Sequence, residues 1–445
     1  MHTPRRMARA LVVVAMIASG LAILPATPAF AALSNNPDTT WMTNGSVWAT
    51  AQYGNVLFIG GKFTQVRSLP VGTAGATVIA ANNLAAIDMT TGQGIATFHP
   101  NVQASGLQTA QVHALAVVGD RLYAGGQFSS IDGAPHYNLG AIDIDPLTRA
   151  GTVDNTFSTE VGVPGAANEN KVFVYEILPG TDGLYIGGSF TKVNGSGRSK
   201  TAKLTFNGTL VKTWKVVSVN AAVRDMAFST DGQTIFISGA FSQLNKVAHQ
   251  SIARVLTSSG KDDAWAATGV IIDTGGGHIG MSCWSLAVTA SRLFAGCGRG
   301  NNYAAAFRLD NGNTGNRTWS FGTVGNVQSI ALTPDGQSLI IGGHFGTYLT
   351  QSVCGNKYLK NLGILNNIYI TSGGVSLDCS FLPQFKGPNP FGGVWEIQVT
   401  PTAIWVGGEF HEVNCDPSRS DTGGSAGVWT CTNGRGQWSI ARFTL

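Results

Sequence analysis

The chain has 445 residues, 28 of them basic and 24 acidic, for a formal charge of +4, and only 12% of its residues are charged. With no run of lysine or arginine, that balance argues against a nucleic-acid or anionic-membrane partner. The 58 glycines, set among many Val, Ile and Thr, point to β-structure with many tight turns.

Residues 1–31 read as a signal peptide. Arg5, Arg6 and Arg9 precede a short apolar run from Ala10 to Leu24, and Ala29 and Ala31 stand in the A-x-A arrangement of a cleavage site. The Arg5-Arg6 pair lacks the surroundings of a twin-arginine signal, which favours the general export route. The mature chain is then 32–445, a single secreted domain with 25 basic and 24 acidic residues. No later stretch is long and apolar enough to span a bilayer.

Next comes TTWMTNG (39–45), followed by the apolar strand SVWATAQ (46–52) and VLFIGGKFTQV (56–66). The last of these recurs as RLYAGGQFSSI (121–131), GLYIGGSFTKV (183–193), TIFISGAFSQL (234–244), SLIIGGHFGTY (338–348) and AIWVGGEFHEV (403–413), with a degraded copy, RLFAGCGRG, at 292–300. The doublets begin at positions 60, 125, 187, 238, 296, 342 and 407, a spacing of 46 to 65 residues that suits propeller blades or solenoid units. Each copy is preceded by an apolar segment and a turn. A polar loop follows it, then a third strand (NLGAID, 138–143; SIARVL, 251–256; AAAFRL, 304–309), then a short fourth strand ending in an aromatic: Phe98, Phe157, Trp214, Trp265, Trp319 or Phe381. Four strands per repeat without helical periodicity predict an all-β, seven-bladed β-propeller of antiparallel blades. The glycine doublet lets the second strand pass the crowded hub without a Cβ, and the following phenylalanine fills the space between blades. The C-terminal SIARFTL (439–445) matches a third strand. Thr39–Thr43 is therefore expected to pair beside Ile440–Leu445 and close the ring.

All six cysteines lie in the second half, and an even count in an exported chain suggests disulfides. Within the repeat, Cys283 begins an innermost strand and Cys297 ends its neighbour, Cys415 and Cys431 bracket one loop, and Cys354 and Cys379 remain for the sixth unit. Each bond contributes roughly 2–4 kcal/mol. No CxxC pair suggests zinc.

The pattern xGGxF[ST]xx[ND]G, as in AGGQFSSIDG and IGGSFTKVNG, resembles the delta-60-type repeat propellers of many exported bacterial proteins and, more distantly, Kelch propellers. The resemblance covers about 39–445 and implies the fold. It implies no chemistry, since no Tyr/His copper set of the Kelch-type oxidase is found.

Aligned at their starts, the innermost strands read Val47-Trp48-Ala49, Val112-His113-Ala114, Val174-Tyr175-Glu176, Val223-Arg224-Asp225, Cys283-Trp284-Ser285, Val327-Gln328-Ser329 and Val394-Trp395-Glu396. The middle residues are expected to ring one mouth of the central channel, with Trp48, His113, Tyr175, Arg224, Trp284 and Trp395 as ligand-binding candidates. Aromatic faces beside carboxyls suit a sugar. A secreted propeller binding a carbohydrate or similar extracellular ligand is the reading these residues favour. A polysaccharide-active enzyme is an alternative: a hydrolase using two of Glu176, Asp225 and Glu396, or a lyase using His113 or Tyr175 as base and Arg224 to neutralise a uronate. A protein-interaction scaffold is another. His136, His249, His344 and His411 are expected to be mostly solvated, and no cofactor or metal is indicated. The glycine-rich loops 273–284 and 386–395 are expected to overhang the same face. No GxSxG, Walker, HExxH or EF-hand pattern is present.

Overall fold

The computed structural model describes residues 33–445 apart from 106–108, 163–170, 271–281, 299–301, 310–314, 356, 372–373, 389–391 and 416–433. The expected signal segment, 1–31, lies outside the described residues. So does most of the glycine-rich loop 273–284.

Among the described residues nearly all regular structure is β; the one helix is the single turn Gln351–Cys354. Seven sheets share one antiparallel plan. Their innermost strands are Ser46–Tyr53, Gln111–Val118, Val174–Pro179, Val223–Phe228, Ser282–Val288, Val327–Leu332 and Val394–Val399. Each pairs with the strand carrying the glycine doublet, and that strand pairs in turn with a third. The second strands, such as Val56–Lys62 and Arg121–Gln127, are apolar on both faces because a neighbouring sheet covers each side.

The core is accordingly divided into layers between consecutive sheets. One layer joins sheets one and two through Phe58, Phe98, Val112 and Phe128. Another joins sheets five and six through Phe294, Trp319, Val327 and Phe345. A third layer holds Val47, Leu57 and Ile59 of the first sheet together with Ala403, Trp405 and Ile440 of the last.

The doublet glycines are set by close approach. A Cβ on Gly60 would lie 2.5 Å from Val112 of the next innermost strand, and one on Gly125 would lie 2.7 Å from Val174. At the other end of the chain, a Cβ on Gly407 would lie 2.7 Å from Val47. The doublet holds a serine, Ser238, in the fourth sheet, and the next sheet there carries Cys283 in place of valine. By the repeat, Cys283 takes the place of the valine that faces the doublet in the other sheets, and its smaller side chain suits a serine Cβ there. The [ND]G pairs form hairpin turns with both central residues at positive φ: Asp132 and Gly133 at 49° and 79°, Asn194 and Gly195 at 47° and 71°.

Two expectations are corrected. A fourth strand forms in sheets two, four, five and six, but shrinks to a single bridge in sheets one and three (Ile87–Gly94 and Leu204–Leu210). Gly92 turns the chain at once in sheet one, and the Gly208 turn does the same in sheet three, leaving no length for a ladder. Nor does Thr39–Thr43 pair as a strand with Ile440–Leu445. Met42–Thr43 pairs instead with Gln65–Arg67, and the last sheet keeps three strands. The chain ends are tied by side chains. Asp38 accepts from Arg442 Nε at 2.8 Å and Thr444 Oγ1 at 2.6 Å, and a single backbone bond runs from Asp38 N to Arg442 O. Gln437 reaches the Thr40 carbonyl and Arg435 the Pro37 carbonyl. The backbone of the segment is engaged elsewhere: the Trp41 N–H donates to the Gly92 carbonyl and the Asn44 N–H to the Gln65 carbonyl.

Cys283–Cys297 and Cys354–Cys379 are disulfides, as their places in the repeat suggested. Cys415 is also oxidised; its expected partner, Cys431, lies outside the described residues.

Candidate functional site

Each of the seven innermost strands breaks register at the same point. The pairing skips one residue between Val47 and Ala49, Val112 and Ala114, Val174 and Glu176, Val223 and Asp225, Cys283 and Ser285, Val327 and Ser329, and Val394 and Glu396. The skipped residues are Trp48, His113, Tyr175, Arg224, Trp284, Gln328 and Trp395. A bulge frees one residue from the ladder and re-aims its side chain. Here it turns the middle residue of every triplet toward the hub.

These side chains line a cavity of about 590 Å³ together with Thr50, Glu176, Ser285, Glu396 and Glu409. All six sequence-predicted ligand residues are on its wall, and so are Glu176 and Glu396. Asp225 is not; it stands behind the wall and binds the neighbouring backbone. Half of the wall is closed on itself. Trp48 and His113 stack with ring centres 4.4 Å apart and planes 2° from parallel. His113 meets Tyr175 edge-on at 5.4 Å, and the Arg224 guanidinium lies over the Tyr175 ring at 3.9 Å. Among the described residues Trp395 meets only the tilted His344 ring, at 6.1 Å. The indole N–H of Trp395 and the Nε of Arg224 are buried without an acceptor among the described residues.

The carboxyls sit one residue deeper. Asp225 accepts the N–H groups of Leu286 (2.5 Å) and Met226 (2.6 Å), and Glu396 accepts the Thr50 hydroxyl at 2.9 Å. Ser285 repeats the pattern, accepting the Ile330 N–H at 3.1 Å. In these three triplets the third residue thus bridges to the next innermost strand. For Glu396 that next strand is the first of the chain. Among the described residues none of the three acids pairs with a Lys, Arg or His.

Burial without a cation raises all three. Burial first, then the Asp225 and Glu396 charges, hold Glu176 well above the usual carboxylate range. Burial pushes Asp225 up to about 7 against the bonds from Leu286, Met226 and Ser285. Glu396 is likewise pushed to about 7 by burial, with the Thr50 hydroxyl opposing. His113 is lowered to about 3 by burial and the Arg224 charge, so it is neutral across the physiological range. Burial raises the Tyr175 phenol.

Glu409 and the His344–Gln328 bond at 3.1 Å were not singled out from sequence. Both come from the variable position of GGxF, where residues of unlike type follow the doublet. The expected solvation of the histidines is corrected. His136 and His249 are 3% and 2% exposed, and His249 bonds Asp262 at 2.8 Å. His411 stacks on Trp438 at 3.8 Å, and His344 is half-buried at the hub. No group of three or more His, Cys, Asp or Glu suited to a metal ion occurs among the described residues. No helix among them is long and apolar enough to cross a membrane.

Sheets packed face to face, with their first strands gathered at one cavity, define a β-propeller. The chain is similar to a structural-genomics protein from Lactobacillus plantarum, at 15% identity and TM-score 0.48, over 76% of this chain and 84% of that one. It is similar to U3-55K, at 10% identity and TM-score 0.47, over 92% and 100%. It is also similar to Chaetomium thermophilum Sqt1 bound to the N-terminus of the ribosomal protein L10, at 14% identity and TM-score 0.46, over 84% and 98%. No protein-family model and no curated protein matches the chain. Likeness at this level says nothing of function.

Proposed function

We propose that residues 32–445 form a closed, seven-bladed propeller of the exported delta-60 type, released from a signal segment at 1–31, that binds a carbohydrate at its hub. The carrying observation is the bulge repeated in seven strands, which sets aromatic and polar side chains around one cavity of about 590 Å³. That volume suits a small ligand or a few sugar units. Indole faces stack on the C–H faces of pyranose rings, and protonated carboxyls and unpaired N–H groups bond hydroxyls. The disulfides Cys283–Cys297 and Cys354–Cys379 agree with an oxidising, extracellular setting.

Binding is preferred to turnover because two of the three acids already hold neighbouring strands. A hydrolase needs carboxyls free for acid and base work, and Asp225 and Glu396 are engaged by Leu286, Met226 and Thr50. For the lyase variant, Tyr175 is raised and covered by Arg224, which suits a fixed wall better than a base.

A glycan array with purified 32–445 tests the proposal. Wild type should bind a defined glycan set. Trp284→Ala and Trp395→Ala should each weaken binding about tenfold or more, the loss of roughly 1.4 kcal/mol, with little change in melting temperature. Binding unaffected by both changes would reject the hub as the site.

A second reading, docking of a protein segment, has one observation behind it. Val217 and Val247 are 69% and 53% exposed beside the Val219–Leu244 bridge, and they form an apolar step on the fourth sheet's hairpin. A partner bound there would respond to Val247→Asp and not to the tryptophan variants.

A further inference from the structure

Two independent features of the hub select the same ligand charge. One is the set of carboxyls. Glu176 and Glu396 reach the cavity, each feels the Asp225 charge, and none of the three has a cationic partner among the described residues. The other is the tryptophan wall. The Trp48 ring is stacked on His113, whereas Trp284 has no ring partner among the described residues and Trp395 has only a tilted one. Indole faces attract cations. The charged groups facing this space from the surrounding strands are Arg224, Glu409, Glu176 and Glu396, with Asp225 behind the wall and neutral His113 and Tyr175 between them. Arg224 is turned onto the Tyr175 ring, and its charge adds to burial in lowering His113 and opposes burial at the Tyr175 phenol. The carboxyls are not grouped as a metal site. A larger, softer cation fits a cavity of this size.

We propose that the hub takes a ligand bearing a protonated amine, an amino sugar with a free ammonium group, held between Glu176, Glu396 and the tryptophan faces. This rests on the carbohydrate reading and narrows it. The ammonium stands in for the countercharge that the carboxyls lack. Bringing it in favours their ionised forms, so binding drives protons off the carboxyls and into solvent. The acetylated sugar, being neutral, gains neither the ion pair nor the cation–π contact. Its N-acetyl group also places a methyl beside the acids.

The test is calorimetry of the purified 32–445 chain near pH 6, in two buffers of different ionisation enthalpy. The probes are a glucosamine trimer and the N-acetylglucosamine trimer. The glucosamine trimer should bind about tenfold or more tightly than its acetylated partner and release about one proton per ligand. The acetylated trimer should release none. Glu176→Gln should abolish the proton release and most of the preference. Among the described residues Glu176 accepts no hydrogen bond from a neighbouring sheet, so this variant should fold; equal melting curves check that. Equal binding of the two trimers, or cationic binding without proton release, would overturn the amine assignment and leave the carbohydrate reading standing. If neither trimer binds, and the wider glycan array is also blank, both fall.

Discussion

Asp225, Glu176 and Glu396 should each make stability depend on pH. Their folded pKa values lie above those of the unfolded chain, with Asp225 and Glu396 at about 7. Below about pH 4 all three are protonated in both states. Between about pH 4 and 7 the unfolded chain ionises first, so stability falls as pH rises. The lowered aspartates, Asp88 and Asp154, act in the opposite sense, and only around and below about pH 4. The lowered histidines His113, His136, His344 and His411 also oppose the carboxyls below about pH 6.5, where the unfolded chain binds protons that they do not. The carboxyl contribution is therefore read by difference. Glu396→Gln, which keeps an oxygen for the Thr50 hydroxyl, should gain a few degrees in melting temperature relative to wild type as pH rises from about 5 to about 8. A difference between the two proteins that does not change with pH would contradict the assignment. The triplets were legible because all seven share one spacing. What could not be read was which acids are engaged. That depends on Thr50 and Leu286 reaching across from strands distant in sequence, a fact of three-dimensional register.

At the scale of the single sheet, the match between Ser238 and Cys283 makes its own prediction. Where the doublet is Gly-Gly, the next strand presents a valine against it. Cys283→Val should press its methyls on the Ser238 Cβ and lower the melting temperature. Ser238→Gly should restore stability in that background more than it alters the wild type. Equal effects of Ser238→Gly in both backgrounds would refute the match; the shared loss of the disulfide cancels in the comparison. The second and third strands were readable because their residues are uniformly apolar and their turns carry glycine or Asn/Asp pairs. Fourth strands were not. Phe98 and Trp214 are buried as the pattern implied, but a buried aromatic marks only the end of a segment and carries no information on whether backbone pairing precedes it. The N-terminal segment shows the same limit. TTWMTNG resembles a fourth strand in composition, yet Gln65–Arg67 takes Met42–Thr43 for its own hairpin.

For the whole molecule, everything proposed depends on the first innermost strand lying beside the last, so that seven bulges face one cavity. The Thr50–Glu396 bond spans 346 residues, and the Asp38–Arg442 pair spans 404. The most direct test is a double-mutant cycle on Gly407 and Val47, which are remote in sequence and touch only if the ring closes. Gly407→Ala alone should cost about 1–3 kcal/mol as the new Cβ meets Val47. Adding Val47→Ala should recover part of that loss, giving a coupling on the order of 1 kcal/mol. Strictly additive effects in urea unfolding would mean that the two strands do not meet, and with them would go the hub, its cavity and the ligand.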